Sequence, residues 1–337
     1  LPALGGHTPP AVPPLLSSPS DLVPMGTRPR TILVQGDSTR SQPAKGLRVA
    51  VTGSNGMVGR ELCKKLAQKG YVVRQCTKDN ADVLSPEKLG QAFRNIDVVI
   101  HCAATLDEES KDLYRINVKG TENALEASAK NGVKQFVFLS SVGAYGDYEG
   151  LKDENSPLKP QTPYEKSKAE AEQKVLAYQE IMAVTILRPA LVLGNNRYWR
   201  QIIATVKKNF PMIGEGKNKW QMVCAEDLAE AILICIDNEN CYGEIFVVAG
   251  KETMTLEEIA NTIRAELGMK GQLKKIPVWL GMLIAYANKI LNFNPMLKPD
   301  YVKRMQRERI YSTKKLEQAG WKAKYPLKQK LGELIKN

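Results

Sequence analysis

The sequence predicts an α/β fold in which helices cover both faces of a doubly wound parallel sheet. The first observation is that, from Leu47 onward, short runs rich in β-branched residues alternate with segments of helical periodicity. The second is that these runs are apolar almost throughout, which is typical of strands covered on both faces.

Six runs are predicted as strands, at 47–52, 71–76, 97–102, 135–140, 184–187 and 244–248. The segments between them carry apolar residues three and four positions apart, and helices are predicted at 58–69, 86–93, 113–131 and 164–180. This alternation is what a parallel sheet with crossover helices requires.

The chain is predicted to divide into three parts. Residues 1–46 hold nine of the 19 prolines, and because proline removes a donor and blocks helices, this part should be an irregular extension. Residues 47–250 should form the cofactor-binding domain, with 189–222 contributing to a smaller substrate-binding lobe, and 251–337 should complete that lobe and end in a basic tail. The acid-poor extension favours the remains of a leader for a mitochondrion or plastid, and a start at Met25 in the cytoplasm is the alternative.

Composition excludes several classes of protein. A chain of 337 residues with 43% hydrophobic and 25% charged residues is neither mostly disordered, nor collagen-like, nor a coiled coil. The net charge of +12 favours an acidic partner or an anionic substrate. Six cysteines without a C-x-x-C pair, beside only two histidines, predict neither a metal site nor a disulfide framework.

A glycine-rich turn follows the first predicted strand and leads directly into a helix. Gly53 permits the tight turn, Gly56 lets the backbone approach a diphosphate, and Gly59 lets the helix pack close to the sheet. Free N–H groups at the start of a helix favour phosphate binding. The predicted cofactor contacts in this turn are Gly53, Asn55, Gly56, Met57, Val58 and Gly59.

The end of the second predicted strand favours NADP(H) over NAD(H). An NAD site usually places an acidic residue there for the ribose hydroxyls, whereas this chain has Thr77 and Lys78 and its first acid at Asp79. A carboxylate would repel a 2′-phosphate, and Lys78 would attract one. Further along, Asp82 and Val83 suit a contact to the adenine amino group.

A series of motifs in order resembles the extended branch of the short-chain dehydrogenase/reductase superfamily, with its NAD(P)-dependent epimerases and dehydratases. The motifs are TGxxGxxG at 52–59, H-x-A-A at 101–104, Asn117, Ser140-Ser141, Tyr164 with Lys168 in Y-x-x-x-K, and Arg188-Pro189. The resemblance covers 47–250 well and the remainder loosely, and it implies a Rossmann-type domain. It also implies cofactor contacts from Cys102, Ala103, Ala104, Tyr164, Lys168 and Pro189.

The resemblance implies a catalytic set of Asn117, Ser141, Tyr164 and Lys168. Y-x-x-x-K occurs three times, at Tyr148, Tyr164 and Tyr311, but only Tyr164 opens a long helix after a serine-bearing strand end. Residues four apart share a helix face, so Lys168 should lie near Tyr164 and favour its ionised form.

The remaining members of the set follow from the extended branch, in which the active hydroxyl stands four residues before a Tyr-Gly pair. Tyr145-Gly146 thereby selects Ser141 over Ser140. Asn117 would orient Lys168 through a water, and the alternative is that Asn117 caps or kinks its helix. His101 is expected to be a packed residue near the site rather than a base.

Three functions are compatible with these residues. The first is an oxidoreductase that transfers hydride between nicotinamide and a small hydroxyl or carbonyl substrate, with Tyr164 as acid/base. The segment 187–194 departs from the R-P-x-N-V-Y-G-P of sugar-nucleotide epimerases, and 214–229 resembles hydroxysteroid dehydrogenases, dihydroflavonol reductases and a complex I accessory subunit. The alternatives are an epimerase or dehydratase and a non-catalytic NADP(H)-binding subunit of a larger organellar complex.

The C-terminal region is a candidate docking surface. Residues 276–288 carry no charge, and 298–337 hold 12 Lys+Arg against four Asp+Glu. An apolar helix beside a basic stretch suits an anionic membrane surface or an acidic protein partner, and the alternative is that the helix roofs the substrate pocket. No nucleic-acid partner is expected, because no binding motif accompanies the charge.

Overall fold

Eleven strands occur in the computed structural model of this protein, within residues 46–146, 150–291 and 297–336, which are the residues it describes. They are β1 (Arg48–Thr52), β2 (Val72–Cys76), β3 (Val98–His101), β4 (Gln135–Leu139), β5 (Ala183–Pro189), β6 (Leu191–Leu193), β7 (Met212–Ile213), β8 (Lys219–Cys224), β9 (Glu244–Val248), β10 (Thr253–Thr255) and β11 (Lys275–Ile276).

The helices of the same ranges lie mostly between strands. They are α1 (Met57–Gln68), α2 (Lys78–Ala81), α3 (Pro86–Ala92), α4 (Gly120–Lys130), α5 (Pro163–Leu176), α6 (Arg197–Lys207), α7 (Ala225–Cys235), α8 (Leu256–Glu266), α9 (Val278–Leu291), α10 (Pro299–Met305), α11 (Lys314–Gln318) and α12 (Leu327–Lys336). A π-turn (Arg115–Lys119) precedes α4, and a 3₁₀ turn (Val142–Tyr145) follows β4.

The central sheet is parallel and six-stranded, in the order β2-β1-β3-β4-β5-β9. Alternate residues of a strand point to opposite faces, so Val49 and Val51 of β1 enter one apolar core, and Ala50 enters the other. The first core contains α1 and α7, and the second contains α3, α4 and α5. Helices therefore cover both faces, and the predicted doubly wound fold is confirmed.

Strand order places a crevice above β1 and β3. The chain runs outward from β1 to β2 and then returns across β1 to β3, so the connections leave these two neighbouring strands in opposite directions. Ligands of doubly wound sheets bind outside the carboxyl ends of the strands at such a switch point. The glycine-rich turn after β1 and the segment 101–104 after β3 meet there.

Each of the six predicted strands corresponds to a strand of the central sheet, with ends that agree to within two residues. The predicted helix 113–131 is confirmed as a helix over 113–130, and residues 115–119 within it form the π-turn. The predicted helix 164–180 ends at Leu176, and turns follow it. The strands β6, β7, β8, β10 and β11 and the helices α2, α6, α8, α10, α11 and α12 were not predicted.

The last part of the chain folds back onto the rest. Trp321 and Leu316 lie in the same core as α1 and α7, whereas Leu327 and Leu331 pack with α8 in another. Basic residues of this part form ion pairs with acids elsewhere: Lys298 with Glu109, Arg304 with Glu108, Lys315 with Glu244, Lys330 with Glu226, and Lys336 with Glu266. Five of the 12 basic residues in 298–337 are thus paired with acidic residues of the fold.

Residues 46–336, where described, fall within one compact unit. The predicted extension lies, apart from Gly46, outside the described residues. The division into a cofactor domain and a substrate lobe at residue 250 stays a prediction. No helix within the described ranges combines the length and the apolar character needed to cross a bilayer.

Candidate active site

The glycine-rich turn forms a cradle that side chains would fill. Gly53 has φ of +66°, and a Cβ there would lie 2.8 Å from the Ala103 backbone nitrogen. A Cβ on Gly59 would lie 2.3 Å from the Gly53 carbonyl oxygen, and the Gly56 nitrogen donates to that same oxygen at 2.9 Å. The turn is therefore held close to α1 and to the segment after β3.

The start of α1 suits an anion. Gly56 precedes the helix without a side-chain cap, and no acidic residue lies in the first turn, which begins with Met57 and Val58. The N–H groups at this end are free to bind phosphate. Because the cradle and the helix start face the switch point, these residues fit the diphosphate of a dinucleotide, with Asn55 on the exposed side of the turn.

The end of β2 carries no carboxylate. Cys76 is buried, Thr77 caps the short helix α2, and the Thr77 N–H donates to Asn80 Oδ1 at 2.8 Å. Lys78 is exposed in the first position of α2. The T-x-x-N spacing, a variant of the capping box, was the available sequence signal for this helix, which was not predicted.

Asp82 and Val83 are both engaged with their surroundings. Asp82 Oδ1 accepts a hydrogen bond from the Leu84 nitrogen at 2.9 Å, and the Val83 carbonyl accepts one from Asn123 Nδ2 at 2.9 Å. Val83 is buried against Gly120, where a Cβ would lie 2.7 Å from its Cγ2 atom. Their predicted contact with adenine stays a prediction.

His101, at the end of β3, links three elements through a directed chain of hydrogen bonds. Thr121 Oγ1 donates its proton to the Asn117 carbonyl at 2.7 Å, so it accepts from His101 Nε2 at 3.2 Å. His101 Nδ1 then accepts from Thr52 Oγ1 at 2.9 Å, and this pattern assigns the Nε2–H tautomer. Burial, together with the charge of Lys168, lowers the pKa of His101 to about 3. His101 is thus a neutral, packed residue.

Ser141 and Tyr164 meet at the carboxyl end of β4. Ser141 begins the 3₁₀ turn, where its Oγ accepts from the Gly143 nitrogen at 3.0 Å. Tyr164 is the second residue of α5, whose start is fixed by Pro163 and a Thr162–Glu165 capping box. Burial raises the pKa of Tyr164 to about 12, and the hydrogen bond with the Ser141 side chain acts to lower it.

Gly146 holds the turn that presents Ser141. Its φ is +62°, and a Cβ there would lie 1.7 Å from the Lys159 carbonyl oxygen. Only glycine fits this position. The turn that begins at Ser141 therefore requires a glycine at position 146, which explains the fixed spacing between the serine and the Tyr145-Gly146 pair.

Lys168 lies one turn beyond Tyr164 and is almost fully buried. Its Nζ donates to the Leu139 carbonyl at 2.6 Å and lies 4.4 Å from the centre of the Phe138 ring. Burial lowers the pKa of Lys168 to about 8, and the charge of Glu172 acts to raise it. In this arrangement the hydrogen bond with Ser141, rather than the charge of Lys168, opposes the effect of burial on the Tyr164 pKa.

Asn117 lies within the π-turn, and both the oxygen and the nitrogen of its side chain make hydrogen bonds. Its Oδ1 accepts from the Thr105 nitrogen at 2.8 Å, and its Nδ2 donates to the Thr105 carbonyl and to Ser167 Oγ, each at 3.0 Å. Asn117 thus joins the loop after β3 to α5 at the residue before Lys168. π-turns inside helices are frequent at functional sites.

A buried ion pair lies behind the serine and the lysine. Arg188 Nη2 and Nε donate to the two oxygens of Glu172 at 2.6 and 2.9 Å, and both side chains are about 1% exposed. Ser140 donates to Glu172, and Arg188 also donates to the Tyr145 hydroxyl at 3.1 Å. Ser140 is therefore used for structure, while Ser141 faces Tyr164.

Sequence reasoning missed Glu172. Its position four residues after Lys168, on the same face of α5, was the available signal. Arg188 was noted only as part of an Arg-Pro pair. Pro189 is the last residue of β5 and is buried at the carboxyl end of that strand.

Two further features are the segment after β3 and an apolar cavity elsewhere in the fold. Cys102 is partly buried, Cys102 and Ala103 lie against Gly53, and Ala104 after them is exposed. An apolar cavity of about 130 Å³ lies between α6 and α8, lined among others by Trp199, Ile202 and Ile259. Within the described residues, no group of three or more His, Cys, Asp or Glu side chains could hold a metal ion.

The crevice and its cradle define a dinucleotide-binding protein of the doubly wound class. The model of the NAD dependent epimerase/dehydratase family matches residues 49–249. The chain therefore belongs to that family, and its predicted place in the extended short-chain dehydrogenase/reductase superfamily is confirmed.

Two curated relatives show the range of chemistry among similar proteins. One is N-acetyl-alpha-D-glucosaminyl-diphospho-ditrans,octacis-undecaprenol 4-epimerase of Escherichia coli O157:H7, 27% identical over 85% of this chain and 94% of the relative. The other is 2-alkyl-3-oxoalkanoate reductase of Stenotrophomonas maltophilia, 26% identical over 66% of this chain and 76% of the relative.

Solved structures share the fold. UDP-glucuronic acid 4-epimerase from Bacillus cereus, in complex with UDP-glucuronic acid and NAD, aligns with a TM-score of 0.69 and 18% identity over 86% of this chain and 99% of that one. RMD from Pseudomonas aeruginosa, complexed with NADPH, aligns with a TM-score of 0.67 and 22% identity over 86% and 98%.

The buried ion pair yields a test of stability. Glu172→Leu leaves the Arg188 charge buried without its partner, so we expect a loss of about 3–5 kcal/mol in the free energy of unfolding. The double variant Glu172→Leu/Arg188→Met removes both charges and should lose clearly less. Denaturant unfolding measures both, and equal losses would contradict the interpretation. Asp112→Ala, which breaks an exposed ion pair with Arg115, is the control and should cost at most about 1 kcal/mol.

The low pKa of His101 predicts its titration behaviour. In a His7→Asn variant, we expect no imidazole to titrate between pH 5 and 8 by nitrogen-15 NMR. Below about pH 6.5 the unfolded chain binds a proton at this residue, whereas the folded chain does so only near its pKa of about 3. Acidification through that range should therefore remove up to about 1.4 kcal/mol of stability per pH unit through this group. An imidazole that titrates near its ordinary pKa would show the assigned chain of hydrogen bonds to be wrong.

Proposed function

We propose that this protein is an NADP(H)-dependent oxidoreductase that transfers hydride between nicotinamide C4 and a small hydroxyl or carbonyl substrate. The observation that carries the proposal is the proximity of Ser141 and Tyr164 at the carboxyl end of β4, with Lys168 one helical turn away. This group lies at the same sheet edge as the dinucleotide cradle. When bound, the cofactor supplies the hydride or accepts it.

Tyr164 is the proton donor when a carbonyl is reduced. Because its pKa is about 12, it keeps its proton near neutral pH and transfers it to the substrate oxygen as the carbonyl carbon gains hydride. The Ser141 hydroxyl is placed to bind the same oxygen. After the transfer, the hydrogen bond from Ser141 stabilises the tyrosinate until a proton from solvent restores it.

Lys168 and Asn117 fix the geometry of this step. Lys168 is held by the Leu139 carbonyl at the end of β4, and Asn117 is held by Thr105. Positioned groups of this kind lower the barrier because the reacting atoms need no further ordering.

An epimerase or dehydratase is the second candidate, and the bacterial 4-epimerase relative that spans most of this chain favours it. Such an enzyme restores its cofactor in each cycle and shows no net redox change. Segment 187–194, which lacks the R-P-x-N-V-Y-G-P pattern, favours the oxidoreductase. Net consumption of NADPH with a carbonyl substrate distinguishes the two. A non-catalytic, NADP(H)-binding subunit would consume none and would convert no sugar nucleotide.

Replacement of the tyrosine tests the catalytic assignment. With a panel of ketones, aldehydes and nucleotide-linked keto-sugars, we expect Tyr164→Phe to lower the rate of NADPH oxidation about 10²–10⁴-fold, because the transferable proton is lost. NADPH binding should stay within about threefold of the parent. Tyr311→Phe is the matched control, since it has the same Y-x-x-x-K spacing with Lys315, and should leave the rate nearly unchanged. A parent-like rate in Tyr164→Phe would remove Tyr164 from the mechanism.

Cofactor preference is tested by charge reversal at the end of β2. The parent protein should bind NADPH about tenfold more tightly than NADH, since no carboxylate opposes the 2′-phosphate and Lys78 attracts it. Lys78→Glu should weaken NADPH binding and leave NADH binding unchanged, as measured by nicotinamide fluorescence. Lys69→Glu, at the far end of α1, is the control. Equal affinities of the parent protein for NADPH and NADH would refute the preference.

A further inference from the structure

Helix α9 exposes a row of large apolar side chains. Trp279 is 68% exposed, Leu283 64%, Tyr286 56% and Ile290 85%. Their spacing of four, three and four residues places them within about 60° of the helix circumference at 3.6 residues per turn. We call these four residues the α9 stripe.

The opposite face of α9 is anchored in the protein. A Cβ on Gly281 would lie 2.3 Å from Ile213, and Ala285 is fully buried. Asn288 is also buried, and its Nδ2 donates to the Leu297 carbonyl at 2.7 Å. The helix therefore cannot rotate to bury the stripe without losing these contacts.

An exposed stripe of this size is unusual on a helix that already buries another face. A surface helix normally presents polar residues on its outer side, whereas the only charged residue of α9 is Lys289. Contiguous exposed apolar residues mark interaction sites. The alternative from the sequence was a roof over the substrate pocket, and it does not account for the outward direction of these four side chains.

The chain segment that contains the stripe carries charge of one sign. Residues 267–299 contain five lysines and no acidic residue. Lys275 and Lys298 are paired with Glu257 and Glu109, while Lys270, Lys274 and Lys289 are exposed. Lys289 lies in the last turn of α9, next to Ile290. The complementary surface is therefore apolar with negative charge at its border.

We propose that the α9 stripe docks this protein on the surface of a lipid bilayer that contains anionic lipids, with α9 lying in the plane of the interface. Trp and Tyr are enriched at the headgroup level of membranes, and exposed lysines attract anionic headgroups. At 14 residues, α9 is about 21 Å long and too short to span the hydrocarbon core. It can therefore contact a bilayer only from the surface.

The same charges disfavour a second copy of this chain as the occupant. A two-fold interface brings the same patch of each copy together. The lysines around one stripe would then face the lysines around the other, without an acidic residue in 267–299 to compensate them. An anionic headgroup supplies the missing charge.

The test is flotation of the full chain with vesicles. One set contains phosphatidylcholine alone, and the other contains about one-third phosphatidylglycerol. We expect the partition coefficient to be at least about tenfold higher on the anionic vesicles and to fall at high salt, because exposed charges are screened. Trp279→Gln/Leu283→Gln should reduce binding to anionic vesicles at least about tenfold, because the apolar part of the surface is lost.

Matched variants make the result specific. Val72→Thr/Leu151→Gln also replaces two exposed apolar residues and should bind like the parent protein. Lys289→Glu should weaken binding to anionic vesicles, whereas Lys322→Glu, which changes another exposed lysine, should have a much smaller effect. Circular dichroism and NADPH titration check that each variant is folded.

Three results would overturn the proposal. The first is absence of binding to anionic vesicles at low salt, and the second is equal binding by the parent protein and the stripe variant. The third is a dimer in light scattering that Trp279→Gln/Leu283→Gln dissociates, with no vesicle binding, which would assign the stripe to self-association. Vesicle binding requires no turnover, so this test is independent of the proposed oxidoreductase activity.

Discussion

The buried ion pair of Glu172 and Arg188 is the interaction on which the arrangement of the candidate site depends. Both charges are almost completely removed from water, and they persist there because each polar atom has a partner. The pair joins α5 to β5, and through Ser140 and Tyr145 it joins both to the end of β4. Tyr164 and Lys168 lie on the helix that is fixed in this way, so their position relative to Ser141 follows from a charge pair that touches no reacting atom.

The central fold could be predicted because its signals are local. Each strand of the six-stranded sheet is a largely apolar run long enough to stand out, and each of the first four is followed by a helix with regular periodicity. The outer strands β7 and β11 have only two residues each, which is too short for any period to show. The placement of Trp321 and Leu316 in the main core was likewise hidden, because it depends on contacts with elements far away in the sequence.

The residues of the candidate site also differ in whether a local sequence pattern predicts them. The glycine-rich turn could be predicted from the spacing of its glycines, because each glycine meets a steric requirement within that turn. The choice of Ser141 over Ser140 rests on a glycine whose φ is positive and on the turn that it permits. Glu172 escaped notice because its partner is a residue on another element, and the sequence does not show which charges are buried. The pKa of Lys168 escaped for the same reason, since burial lowers it to about 8.

The π-turn before α4 has a consequence for comparing this chain with its relatives. Its closing bond runs from the Gly120 nitrogen to the Arg115 carbonyl, five residues back, so the turn holds one residue more than a regular α-helical turn. A relative that lacks one residue between Leu113 and Gly120 would retain an unbroken helix, and its asparagine would point about 100° away from the loop after β3. An alignment that matches Asn117 with such an asparagine would pair two residues of the same type whose side chains lie in different places. The length of this segment, as well as the identity of the residue, therefore decides whether the contact of Asn117 with Thr105 is retained.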